Sequence, residues 1–184
     1  LQQIGFIYVK NNKLSVKQGL LDAIGNWELL RKKRKVSVSS VRDIYYFMSV
    51  GKGVAKGKKK LPGLSEEELV DIEELKEKHG LLTDEIWHKA FDRVGAQQRE
   101  YLIACLRRGE KATKPRIRLS TIHAAKGGEA DNVVVFTDIS VKTANELYAR
   151  PDGENRAFYV AVTRTRKNLH IVQPSTSKFF KPIL

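Results

Sequence analysis

Arg116-Ile-Arg-Leu-Ser-Thr-Ile-His-Ala-Ala-Lys-Gly-Gly-Glu-Ala-Asp-Asn-Val-Val-Val-Phe-Thr-Asp138 is the stretch that decides the fold. At its start, charged and hydroxyl residues alternate with Ile117, Leu119 and Thr121, the period of a strand. Its end, Asn132–Asp138, is β-branched enough to predict a buried strand. A polar loop containing Gly127 and Gly128 lies between. Downstream, Pro151-Asp-Gly marks a turn, residues 154–166 look helical, and Asn168-Leu-His-Ile-Val172 reads as a last short strand. Strands alternating with helices are an α/β signature, with a parallel sheet expected.

The N-terminal end is similar material. Phe6-Ile-Tyr-Val9 reads as a strand closed by a turn at Asn11-Asn12. Ser15 and Gln18 have capping-box spacing ahead of Leu20, Leu21, Ile24, Trp27 and Leu30, which recur as on one helix face. That helix ends in Arg31-Lys-Lys-Arg-Lys35, where positive charge favours the negative end of the helix dipole. The middle of the chain reads as short helices without a strand. Ser40 is the expected cap for Val41, Ile44, Tyr45 and Met48, and a Ser65/Glu68 capping box precedes Leu69, Ile72 and Leu75. Thr83 would cap a helix carrying Ile86, Ala90, Phe91 and Val94, and Gln97–Arg108 would form another, closed by Gly109. The predicted architecture is one α/β domain made of residues 1–35 and 111–184, interrupted by an all-helical insertion at 36–110.

Charge is unevenly spread within the net +13. Residues 28–60 carry 11 Lys/Arg against 2 Asp/Glu, residues 61–110 carry 7 against 12, and residues 111–184 carry 13 against 6. Two basic regions flanking an acidic one point to a polyanionic partner, with nucleic acid first and a solvated lysine face as the alternative. The basic loop Gly51-Lys-Gly-Val-Ala-Lys-Gly-Lys-Lys-Lys60 is not a nucleotide P-loop: the glycine spacing fails, and Lys58 is followed by Lys59 instead of Ser or Thr. It is expected to be flexible, as a contact to a DNA backbone or as plain disorder. His79 and His88 have no partner at zinc-ligand spacing, so no metal site is expected. The single Cys105 excludes an internal disulfide and fits a reducing compartment. No apolar run approaches the roughly 20 residues that span a bilayer. The chain opens Leu1-Gln-Gln without an initiator methionine and is read as part of a longer polypeptide.

Thr121 and His123 fall where a strand runs out into a loop, the edge at which parallel α/β sheets bind ligands. A hydroxyl and an imidazole there can donate to phosphate oxygens. Lys126 adds a cation, the glycines allow close approach, and Glu129 can accept from ribose hydroxyls. The bland reading is an ordinary strand-to-helix turn. On the helix, Phe158, Val162 and Tyr159 are core candidates, and Arg156 is a candidate ion pair for Glu129, Glu154 or Asp152. Arg164 and Arg166 either complement the end of their helix or place a fixed charge on a transferring phosphoryl group.

Two segments carry a family resemblance. Thr-Ile-His-Ala-Ala-Lys-Gly-Gly-Glu at 121–129 resembles motif V, and Glu-Asn-Arg-Ala-Phe-Tyr-Val-Ala-Val-Thr-Arg at 154–164 resembles motif VI, of the UvrD/Rep-like superfamily 1 DNA helicases. Their order, separation and intervening valine-rich strand match as well. The resemblance implies a second RecA-like domain, partial at its start, with a helical subdomain inserted. It implies an ATP-dependent DNA helicase, a hydrolase of DNA repair or replication, that translocates on single-stranded DNA and unwinds duplex. Thr121 and His123 would contact single-stranded DNA, Glu129 would hold the ATP ribose, and Arg164 would sense the γ-phosphate, with Lys126 in support near either site. Arg156 and Tyr159 would position the helix. ATP with magnesium is the implied cofactor. Walker A, the acidic magnesium-binding motif and an upstream arginine motif find no match, so the magnesium ligands would lie outside this chain, in an N-terminal RecA-like domain of the same polypeptide. This piece alone is expected to be inactive as an ATPase. Gly128 departs from the family, where a larger apolar residue is common, as does Thr165, where alanine is common. A cytoplasmic setting in a bacterium or phage-infected cell is implied, with the nucleus as the alternative. The rivals are a non-enzymatic nucleic-acid-binding module and part of a helicase-nuclease repair protein.

Overall fold

A computed structural model of the chain describes residues 1–181. It divides into two compact units, Leu1–Arg118 and Leu119–Leu184. Its elements are mixed helix and strand, and the described residues include a parallel strand pair.

The first unit begins with a hairpin, β1 (Tyr8–Lys10) against β2 (Lys13–Leu14). Asn11 and Asn12, both left-handed at φ 51° and 59°, form the two-residue turn that such hairpins favour. The strand therefore starts two residues later than the sequence indicates, and the turn leads into a second strand before the helix. The Ser15/Gln18 capping box does not form. Helix α1 (Gln18–Arg31) has Lys17 at its N-cap and no side-chain cap. Ser15 is drawn into the hairpin instead, accepting from the Tyr8 amide at 3.1 Å and bonding the Tyr101 hydroxyl at 2.6 Å.

Leu20, Ile24, Trp27 and Leu30 of α1 are buried as their spacing predicts. Only Arg31 of the basic run lies in the last turn. Beyond it, Lys33 is left-handed at φ 58°, its amide donates to Leu30 O, and the Arg34 amide donates to Leu29 O. This is a Schellman ending with a lysine where glycine is usual.

The segment 36–110 contains strands that the sequence did not show. β3 (Val36–Ser37) pairs antiparallel with β4 (Leu69–Val70). Ser37, not Ser40, caps α2 (Val38–Tyr46), accepting from the Ser40 amide. The Ser65/Glu68 signal makes only a turn, with the Ser65 amide donating to Glu68 Oε2 at 3.4 Å. Asp71 is the actual cap of α3 (Ile72–Lys78). Thr83 binds the Glu85 amide without starting a helix, and α4 is a single turn at Trp87–Ala90. Helix α5 (Ala96–Arg107) ends before a left-handed Gly109, as read.

The basic loop is packed, not loose. Val54 and Leu61 are buried, and a Cβ added to Gly53 would lie 2.6 Å from Met48 Cβ. One hydrophobic core runs from Ile7 through Trp27, Tyr45, Met48 and Phe91 to Cys105. Burial raises the Cys105 thiol pKa, in keeping with a packing role. The hairpin sheet has the order β2-β1-β5, where β5 is Ile117–Leu119 and begins within this unit.

In the second unit, β6 (Ala130–Phe136) and β7 (Thr165–Val172) pair in parallel, with Val133 beside Leu169 and Val135 beside Ile171. Between them in sequence come α6 (Val141–Ala149), capped by Ser140, and α7 (Pro151–Val162). Pro151 is the first residue of α7 and not the tip of a turn, a position that suits its fixed φ and missing N–H. The buried cluster is small: Val135, Phe158 and Ala161, with Ile122, Val133, Ile139 and Phe180 against it. Strand β6 is thus not buried on both faces. Val135 is covered while Val134 and Phe136 stand 53% and 64% exposed, the alternation of a sheet with one open face. No helix among the described residues is long and apolar enough to cross a membrane.

Candidate functional site

The loop between β5 and β6 turns at a 3-10 helical segment, His123–Ala125. Thr121 shapes it: its Oγ1 accepts from the Ala124 amide at 3.2 Å and its carbonyl accepts from the Ala125 amide at 3.1 Å. The Thr121 hydroxyl proton stays available for a further acceptor. His123 and Lys126 are exposed, and neither side chain has a hydrogen-bond or ion-pair partner among the described residues. Gly127 sits at φ 83°, a conformation that a side chain would strain. Gly128 does not, and an added Cβ would meet only Ala125 O at 3.5 Å. The larger residue common in the resembling family would therefore fit there, and the departure at Gly128 leaves the loop intact.

The strand register brings two candidates together. Ala130 lies beside Thr165, and the Ala130 amide donates to Arg164 O at 3.0 Å. Glu129 and Arg164 are consequently neighbours in backbone, at the starting ends of β6 and β7. Their side chains are not paired. Arg164 turns back onto α7, with Nε donating to Val160 O at 3.0 Å and Nη2 to Thr163 Oγ1 at 3.1 Å. It thus serves the exposed carbonyls of the helix end, as the bland reading holds. Its Nη1 has no protein partner among the described residues, and Glu129 is exposed and likewise unpartnered. A carboxylate and a guanidinium donor, both uncommitted, are the groups that ribose hydroxyls and a phosphate would need. No described contact joins the side chains of Thr121 or His123 to either of them.

The other arginines fall elsewhere than their sequence spacing indicates. Helix α7 ends at Val162, so Arg164 follows it and Arg166 belongs to β7. An irregularity in the register, one residue of β6 against two of β7, sets Arg166 and Lys167 both on Asp131, at 2.8 and 2.7 Å. Arg156 makes none of its three expected ion pairs among the described residues. Phe158 is buried and stacks on Phe180 with ring centroids 3.7 Å apart, Val162 is half-buried, and Tyr159 is 69% exposed.

Asp138 was not singled out from sequence. Its carboxylate accepts from the Ser175 and Thr176 amides and from both hydroxyls, fastening the segment after β7. The Ser175 amide bond, then the Thr176 hydroxyl, holds the Asp138 carboxyl below the usual carboxylate range. A Ser-Thr pair 37 residues away gives no local signal of such a bond. Among the described residues no group of three or more His, Cys, Asp or Glu could hold a metal ion.

Residues 116–172 match the family described as the UvrD-like helicase C-terminal domain. The match spans β5, the loop, β6, both helices and β7. Comparison with curated proteins and with solved structures gave no significant match.

Proposed function

We propose that this chain, whose residues 116–172 match the UvrD-like helicase C-terminal domain, supplies one side of the ATP site and part of the DNA track of an ATP-dependent DNA helicase. The parallel pair β6–β7 with α7 would be part of a second RecA-like domain built from residues 1–35 and 111–184, and residues 36–110 its helical insertion. The observation that carries the reading is the register of β6 on β7, which seats Glu129 beside Arg164.

ATP, when bound with magnesium, supplies the phosphoryl group whose transfer to water releases free energy for movement along DNA. Toward that group the chain offers two residues. Glu129 accepts from the ribose hydroxyls. Arg164, whose Nη1 has no protein partner among the described residues, would offer a fixed charge to the γ-phosphate. Lys126, unpaired in the intervening loop, supports either the nucleotide or the DNA. Thr121 and His123 donate to the phosphates of single-stranded DNA, just beyond β5. The 3-10 turn and Gly127 connect these contacts to Glu129 within nine residues, so a shift at one end is passed to the other through a short path. Magnesium ligands and the phosphate-binding lysine would come from outside these residues.

Exposed cations and an arginine that already caps a helix also fit the non-enzymatic nucleic-acid-binding module. Arg164→Ala in the parent protein separates the two. In the helicase reading, DNA-stimulated ATP turnover falls by about a thousandfold or more, as for loss of an arginine finger, while single-stranded DNA binding persists. Unchanged turnover would reject the helicase assignment of Arg164. The chain of residues 1–184 by itself should show no ATP turnover above background, with or without DNA.

A further inference from the structure

The basic loop and the end of α2 form a built surface that the motif residues do not use. Tyr46, the last residue of α2, is 64% exposed. Its ring does not wave freely. It stands edge-on against Phe47 at 5.1 Å, Phe47 stacks on buried Phe91 at 5.8 Å, and Phe91 rests against buried Trp27 at 6.0 Å. Arg93 covers part of the ring, with its guanidinium carbon 5.1 Å from the centroid. Two bonds fix that arginine: its amide donates to Phe47 O at 3.1 Å and its Nη1 to Tyr46 O at 2.6 Å.

Around this ring cations outnumber acids, with Arg93, Lys59 and Lys52 set against Asp92. Lys59 Nζ donates to Met48 O, and burial, followed by the nearby charge of Arg93, lowers the Lys59 pKa. Asp92 accepts from the amide and hydroxyl of Ser49, and its single charge acts on both Lys59 and Lys52. None of Lys52, Lys56, Lys59 or Arg93 has a carboxylate within ion-pair distance among the described residues. The carbonyls of Tyr46 and Phe47 are left open at the end of α2 and that of Met48 just beyond it, so Arg93 caps the helix and Lys59 the residue that follows its cap. Capping uses a fraction of their donors and none of their net charge. The loop that presents the other lysines is held in place, since the Ala55 amide donates to Gly80 O at 2.8 Å and the Leu82 amide to Gly53 O at 3.0 Å.

A preorganised aromatic face beside an excess of cations free of ion pairs is what an unstacked base and its flanking phosphates require. A duplex offers no free base to such a ring. We infer that the first unit carries a second strand-binding surface, in which Tyr46 and Arg93 stack a base of single-stranded DNA and Lys52 and Lys59 meet the adjacent phosphates. The surface stands on this unit alone; the choice of DNA over RNA rests on the functional reading above.

The test is fluorescence anisotropy of a labelled oligodeoxythymidylate titrated with the full chain. Tyr46→Ala should weaken binding about tenfold, within the range that loss of one stacked base produces, and Tyr46→Trp should restore it. Lys52→Ala should reduce the salt slope by about 0.7. Because Tyr46 is at the surface, circular dichroism should be unchanged in every variant. Tyr46→Ala binding as tightly as the unsubstituted chain overturns the proposal, as does duplex of the same length binding equally well. Oligouridylate binding more tightly overturns the choice of DNA. The same series in a Thr121→Ala/His123→Ala background separates the two claims. Tyr46 dependence surviving there supports this surface even if the motif residues prove not to touch DNA.

Discussion

The two units of this chain hold themselves together in different ways. Leu1–Arg118 closes a continuous core in which Trp27, Tyr45, Met48, Phe91 and Leu102 are fully buried. Leu119–Leu184 buries Val135, Phe158 and Ala161 and leaves Val134, Phe136, Tyr148 and Tyr159 exposed. What it lacks in core it replaces with polar fastenings: Asp138 on Ser175 and Thr176, Asp131 on Arg166 and Lys167, and Asn168 on Asn132. A small unit with little buried apolar surface is marginal by itself. The motif residues proposed for nucleotide and strand contact, Thr121, His123, Lys126, Glu129 and Arg164, all lie in that marginal unit. Local opening is cheapest there, as in regions that move during function.

The largest effect that would test this contrast is a pair of core truncations. Trp27→Ala should cost about 3–5 kcal/mol, because a large buried ring leaves a cavity. Val135→Ala should cost about 1–2 kcal/mol, the value of two methyl groups in a thin cluster. Denaturant unfolding followed by hydrogen exchange measures both, and amides of β6 and β7 should exchange faster than those of α1. Equal protection across the two units would break the comparison.

Next in size is a gain. Lys33 holds a left-handed conformation that costs a non-glycine residue about 1–2 kcal/mol, so Lys33→Gly should raise the stability of the first unit by about 1 kcal/mol. A rise in the unfolding midpoint of that unit, without change in the second, is the expected readout. A loss would mean that the lysine charge at the end of α1 outweighs the strain.

The smallest effect sharpens the contrast through pH. The folded pKa of Asp138 is depressed, so its contribution is present above the ordinary carboxylate pKa. That contribution is lost as pH falls through that value toward the folded one. Acid should therefore release the segment that Ser175 and Thr176 begin, detected as faster exchange of those amides. Asp138→Asn should show the release already at neutral pH and lose its pH dependence. In the first unit burial alone would raise the Asp92 pKa, but the bonds from Ser49 outweigh it and leave it lowered. Acid weakens that contact too, yet the core around Met48 remains. Release of the first unit at a higher pH than the second would contradict the ordering.

Legibility from sequence followed the range of the interactions. The spacing of Leu20, Ile24, Trp27 and Leu30 gave the buried face of α1, since helix periodicity is local. The paired asparagines marked a turn for the same reason. Capping signals misled where a hydroxyl had a distant competitor. Ser15 bonds Tyr101 across 86 positions, and no pattern within a few residues encodes that. The openness of β6 was illegible too, because composition tells that a strand is apolar and not how many faces are covered.

Within the candidate site, the residue types were readable while their arrangement was not. The match of residues 116–172 to the helicase family supports the segment that the motif resemblance picked out. That Glu129 lies beside Arg164, and that Arg164 rests on its own helix, follow from register and from a turn closed only when β7 pairs with β6.

The sequence by itself determined the buried face of α1, the turn at the paired asparagines, the charge regions and the helicase-like segments, because each is written in neighbouring residues. Only the tertiary structure decided which hydroxyl caps which helix, that the lysine loop is packed onto Met48, and that Tyr46 and Arg93 meet across 47 positions. Those depend on contacts between distant segments, whose energies are set by the folded geometry and by nothing local.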